Sequence, residues 1–102
     1  MFKGIMLVQE IGTAEKAMEI AEKYGATGGT ILRGRGAAAQ KENLRSLFDM
    51  EIEPEKDILL VITSKEITDQ VIDGLTNDLE IEKANTGILF SFDLSEIEGI
   101  AQ

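Results

Sequence analysis

Asp57-Ile58-Leu59-Leu60-Val61-Ile62-Thr63 is the most continuous apolar run in the chain. Its length and β-branched content read as a strand over 57–63. Side chains alternate between two faces along a strand. Both alternations are apolar here, so both faces of the sheet need cover. Downstream, Thr63 or Ser64 reads as a helix cap, and Thr63-x-x-Glu66 fits the capping-box pattern. Ile67, Val71, Ile72 and Leu75 then supply the buried stripe of a helix. Upstream, Glu53-Pro54-Glu55-Lys56 reads as a turn, with proline in its favoured position.

The rest of the chain extends the pattern. Residues 2–9 form a β-prone run and the first strand. Residues 11–13 turn into a helix over 14–24, with Thr13 as its expected N-cap. Ala14, Ala17, Met18, Ala21 and Tyr24 share one face of it, and Gly25 is placed as its C′ glycine. A second strand is expected over 29–33, a short alanine-bearing stretch over 37–43, and an extended arm over 47–52. Residues 77–86 read as a polar loop and 87–92 as the last strand. Leu94, Ile97 and Ile100 in the tail predict a short helix or an edge strand.

The order is β-α-β-β-α-β. It predicts an α+β, ferredoxin-like sandwich in one domain, 1–102: an antiparallel sheet with two helices on one face. Two helices cover only one sheet face. The apolar second face is therefore expected to be covered by other copies of the chain.

The chain has 102 residues, enough for one domain with a real core. It holds no cysteine and no histidine, which excludes disulfides, Cys-His or Ser-His-Asp chemistry and the usual zinc sites. No Asp-x-Asp-x-Asp calcium loop occurs, so no metal is expected. A net charge of −9 argues against general nucleic-acid binding. No apolar run approaches the roughly 20 residues of a membrane span, and the first residues lack a cleavage-site pattern. The expectation is a cytoplasmic, non-enzymatic protein without direct membrane insertion.

Against this acidic background stands Gly28-Gly29-Thr30-Ile31-Leu32-Arg33-Gly34-Arg35-Gly36. It reads as a strand running into a Gly-Arg-Gly loop. Glycine permits close backbone approach, and arginine offers a fork of donors suited to phosphate or carboxylate. Arg33, Arg35, Lys41 and Arg45 are four of the ten basic residues and lie within thirteen positions, opposed there only by Glu42. The stretch is a candidate anion site, with Arg33 and Arg35 as its clamp. The competing reading is a solvated loop whose arginines form surface or inter-subunit pairs. Lys83 is a further phosphate-contact candidate.

The chain resembles the P-II signal-transduction family in a short, P-II-like form. Three stretches carry the likeness. Residues 22–36, with Gly29-Thr30-Ile31 leading to Gly34-Arg35-Gly36, are similar to the strand at the base of that family's flexible T-loop. Residues 56–75 are similar to its third strand and second helix, and Gly87-Ile88-Leu89-Phe90-Ser91-Phe92-Asp93-Leu94-Ser95-Glu96-Ile97 to its Gly-Lys-Ile-Phe-Val-x-x-Val segment. The resemblance implies a homotrimer with inward-facing sheets. It implies an adenine nucleotide (ADP, AMP or ATP) in clefts between subunits. It also implies a partner enzyme, transporter or transcription factor, in nitrogen or carbon metabolism, regulated through the T-loop. On this resemblance Thr30 sits beside the base, and Gly34, Arg35 and Gly36 lie near the phosphates.

Some family features are replaced. Only about ten residues separate Gly36 from the arm near Leu47, and the loop-tip tyrosine is missing. The glycine-rich segment before the last strand is Glu80-Ile81-Glu82-Lys83-Ala84-Asn85-Thr86-Gly87 here, and residues 96–102 hold no arginine. Fewer backbone N–H groups and cations therefore remain to cradle a triphosphate. Two alternatives stand beside the regulatory trimer: a ferredoxin-like module binding an amino acid or carboxylate, and a small acylphosphatase-like enzyme. The latter needs an arginine in the loop after the first strand, where Ile11-Gly12-Thr13 has none.

Overall fold

The computed structural model describes residues 1–35, 55–83 and 87–99. Among the described residues, four strands, β1 (Phe2–Glu10), β2 (Gly29–Arg35), β3 (Glu55–Ser64) and β4 (Ile88–Asp93), and two helices, α1 (Ala14–Lys23) and α2 (Lys65–Asp78), follow in the order β1-α1-β2-β3-α2-β4. The sheet order is β2-β3-β1-β4, and every neighbouring pair is antiparallel. This is the expected ferredoxin-like arrangement.

Register divides the sheet cleanly. Ile5 pairs with Val61 and Leu7 with Leu59 on the helix side. These four meet Ala17, Ile20 and Ala21 of α1 and Val71 and Leu75 of α2 in one buried core. Burying each large apolar side chain there stabilises the fold by about 1.5–3 kcal/mol. Ala14, Ala17 and Ala21 of α1 are buried, so small side chains make up most of its buried face.

The opposite face carries the other alternation. Met6 lies between Leu60 and Phe90, and Val8 between Ile58 and Ile88. Gly4 lies between Ile62 and Phe92, and the Phe92 ring occupies the space a Cβ at Gly4 would need. The Phe90 and Phe92 ring centroids are 6.3 Å apart, and Phe90 is 45% exposed. The apolar second face read from the sequence is therefore present.

Several local expectations are corrected. β2 runs two residues further than expected, so Gly34 and Arg35 are strand, paired with Lys56 and Glu55, and not loop. Glu55 and Lys56 belong to β3 and not to a turn. The capping box is absent: Thr63 is buried in β3, and its hydroxyl lies 2.7 Å from that of Thr68. The Thr68 hydroxyl also donates to the Ser64 carbonyl at 2.9 Å, which draws both threonines into the β3–α2 corner. Asn77 and Asp78 extend α2 into the expected polar loop, and Leu79 and Ile81 beyond it pack against the core. Residues 94–99 form no helix or strand. The expected elements at 37–43 and 47–52 lie outside the described residues, as do Glu53 and Pro54.

The end of α1 is as expected. Gly25 has φ +122°, its N–H donates to Glu22, and the Ala26 N–H donates to Ala21. These two bonds make a Schellman motif, which glycine at C′ favours. Among the described residues, no helix is long and apolar enough to cross a membrane.

Candidate anion site

Among the described residues β2 is an edge strand, paired on one side by β3. Strand alternation separates the candidate residues into two groups. Thr30, Leu32 and Gly34 lie on the apolar sheet face, in register with Leu60, Ile58 and Lys56. Ile31, Arg33 and Arg35 lie on the helix side, in register with Leu59, Asp57 and Glu55. The structure thus brings Arg33 and Arg35 together and puts Thr30 and Gly34 on the other face. Gly36, Lys41 and Arg45 lie outside the described residues.

Arg33 reaches across to Asp57. Its Nε lies 3.5 Å from Asp57 Oδ1, and its Nη2 donates to the same oxygen. The Asp57 side chain is 8% exposed, against 58% for Arg33. Its other oxygen, Oδ2, accepts from the backbone N–H of Gly12 at 2.8 Å and of Ala14 at 3.3 Å. Asp57 therefore satisfies one orphan donor at the start of α1, that of Ala14, and the turn N–H of Gly12 ahead of it, from a strand 43 residues away. The Thr13 side chain makes no capping bond, because its hydroxyl donates to the Glu10 carbonyl at 2.7 Å. The expected cap is replaced by a tertiary one.

Burial by itself pushes the Asp57 carboxyl up. The N–H groups of Gly12 and Ala14, and then the charge and hydrogen bond of Arg33, outweigh it and hold the carboxyl below its ordinary range. The negative charge on Asp57 is thus fixed at neutral pH. Beside it opens a cleft of about 490 Å³, with Gly12 and Glu15 on the helix side and Ile31, Leu32 and Arg33 on the strand side. Ile31 and Leu32 are nearly half exposed. The Arg33 guanidinium and the Ile31 side chain share this side of the strand and border the cleft.

Lys83 is placed elsewhere. It lines a second depression of about 290 Å³ with Thr76, Asn77, Glu80 and Glu82, and its Nζ is 2.5 Å from Glu80 Oε1. Gly87 has φ +140°, and a Cβ there would lie 2.7 Å from the Val8 carbonyl oxygen. The path of the chain alone accounts for that glycine. Among the described residues, no three Asp, Glu, His or Cys residues converge to hold a metal.

Asp57 is the site residue the sequence reading missed. Its signal was present: an acid that falls on the same alternation as Leu59 and Val61 must enter the helix side of the sheet. A buried carboxylate there needs donors.

No family model matches the sequence, and no curated protein matches it. Solved structures do. The GlnK–ATP complex of B. subtilis superimposes with a TM-score of 0.68 at 23% identity, covering 92% of this chain and 82% of that one. A PII-like signalling protein of Thermus thermophilus gives 0.63 at 21%, covering 88% and 83%. Arabidopsis thaliana PII bound to citrate gives 0.67 at 16%, covering 92% and 78%. Over nearly its whole length, the chain has the fold of PII signalling proteins.

Proposed function

We infer that the chain is a non-enzymatic, P-II-like regulatory protein. It binds an adenine nucleotide (AMP, ADP or ATP) in clefts between the subunits of a homotrimer and conveys occupancy to a partner enzyme, transporter or transcription factor. The observation that carries this reading is the fold shared with three PII proteins, one of them solved with ATP. The apolar second sheet face supports the assembly, because a face built from Met6, Leu60, Phe90 and their neighbours is stable only when covered. In this reading Thr30 lies on the nucleotide-base side, and Gly34, Arg35 and Gly36 lie on the phosphate side. Arg33 belongs to the same loop base.

A second reading, a small carboxylate as ligand, is favoured by one observation: Arabidopsis PII has been solved with citrate. The test is titration calorimetry of the purified oligomer against AMP, ADP, ATP and cyclic AMP, each with and without magnesium, with citrate run in parallel. Micromolar binding of a nucleotide supports the first reading. Citrate binding without nucleotide binding replaces it with the second. No binding of either overturns both.

A further inference from the structure

The two arginines at the end of β2 are not equivalent. Arg33 faces a buried carboxylate at 3.5 Å, whereas Arg35 lies directly across from Glu55, which is exposed. Water screens a charge such as Glu55 strongly, and exposed pairs contribute about 0–1 kcal/mol. A buried carboxylate held by two backbone N–H groups cannot swing away, since leaving would orphan those donors. An anion approaching Arg33 therefore meets a fixed negative charge behind it.

We propose that Asp57 is a positioning residue that ties Arg33 to the start of α1 and withholds it from anions entering the cleft. The anion affinity of the site is thereby set below what two arginines would give. The inference deepens the regulatory reading above and rests on it for the identity of the ligand only.

Asp57→Asn separates the two tasks of this side chain. The amide oxygen still accepts from Gly12 and Ala14, while the amide NH2 turns toward Arg33, loses its attraction and releases the guanidinium. Titration calorimetry with ADP, ATP and inorganic pyrophosphate is expected to show at least three-fold tighter binding to Asp57→Asn than to wild type. Arg33→Ala alone would leave the Asp57 charge without its cation, so the guanidinium is tested in the Asp57→Asn background. The double variant Asp57→Asn/Arg33→Ala is expected to lose the gain, which a purely structural role for Asp57 would not produce.

No tightening in a folded Asp57→Asn, or a gain that survives in the double variant, overturns the proposal. Should Asp57→Asn not fold, the Arg33 Nε–Hε resonance of the wild-type protein decides: a shift on saturation with pyrophosphate would mean that Arg33 already holds the anion and overturns the proposal, and an unmoved resonance supports it. If pyrophosphate tightens as expected while no nucleotide binds to any form, the nucleotide reading falls and the withheld arginine stands. If none of these ligands binds, the Arg33 Nε–Hε resonance is followed during sulfate addition. A shift in Asp57→Asn but not in wild type supports the proposal, and no difference between them overturns it.

Discussion

Asp57 on β3 and Gly12 ahead of α1 are joined by a hydrogen bond of 2.8 Å across 45 positions of sequence. The bond makes the start of a helix depend on a strand, and so couples local to tertiary order. Asp57→Ala leaves the N–H groups of Gly12 and Ala14 without that acceptor and is expected to destabilise the fold by about 1–3 kcal/mol. Asp57→Asn is expected to recover most of the loss. Urea unfolding of the three forms checks this, and equal stability of Ala and wild type would show that water replaces the carboxylate.

The same carboxylate makes a signed prediction about pH. Its folded value is depressed below the ordinary 3.8. The unfolded chain therefore takes up the proton first, and the stabilisation is present above the unfolded value and lost as pH falls through the folded one. The stability gap between wild type and Asp57→Asn should accordingly be widest near neutral pH and narrow below about pH 4. Chemical unfolding at a series of pH values measures that gap. A gap constant with pH would assign the titration to other groups.

Tyr24 packs across Gly74 so closely that a side chain at Gly74 would occupy the position of its ring. The Tyr24 hydroxyl meets Asp78 at 3.2 Å, Lys23 pairs with the same carboxylate, and Gln70 donates to the Tyr24 carbonyl at 2.7 Å. This corner locks α1 to α2. Alanine would gain about 1 kcal/mol in helix propensity. Displacing the ring costs about 1–3 kcal/mol. Gly74→Ala is expected to be net destabilising. Tyr24 is the only tyrosine and there is no tryptophan, so intrinsic fluorescence reads this corner alone. Its emission should change in the variant, and an unchanged signal with unchanged stability would mean that the helices shift apart freely.

The strand and helix order was legible because periodicity is a local signal: the run from Ile58 to Ile62 and the stripe Val71–Leu75 need no knowledge of the rest of the chain. So was the apolar second face, since it follows from counting helices against sheet faces. Asp57 was not legible as a cap, because Gly12 and Asp57 become neighbours only through the register of β1 on β3. The extension of β2 through Gly34 and Arg35 was missed for a related reason. Glycine and arginine have weak strand propensity, and here their pairing with Lys56 and Glu55 decides. The division of Thr30 from Arg33 follows from alternation once the strand is known to be continuous.

The row Leu60, Met6 and Phe90 crosses the centre of the second sheet face. A charge placed there would be buried without a partner in an assembly, but solvated in a monomer. Phe90→Glu is expected to reduce the particle from an oligomer toward a monomer while leaving circular dichroism intact. Leu75→Ala, on the helix side, is expected to lose about 2–5 kcal/mol of stability instead. Light scattering after size exclusion distinguishes the two outcomes. A wild-type protein that is monomeric at micromolar concentration would remove the assembly altogether.

Arg35 is the cation on which the anion reading leans once Arg33 is held by Asp57. It stands at the last described position of β2, exposed, in register with Glu55, which is exposed and solvent-screened. A phosphate or carboxylate gains a charge-assisted hydrogen bond there that water competes for only partly. Arg35→Ala is expected to weaken nucleotide binding at least several-fold and to leave the oligomer mass unchanged. Arg35→Lys is expected to fall between the two, since an ammonium keeps the charge and loses the fork. Calorimetry on the three proteins, repeated at higher salt, measures this. An affinity that is indifferent to both substitutions would take Arg35 out of the site and move the phosphate side of the cleft onto backbone donors.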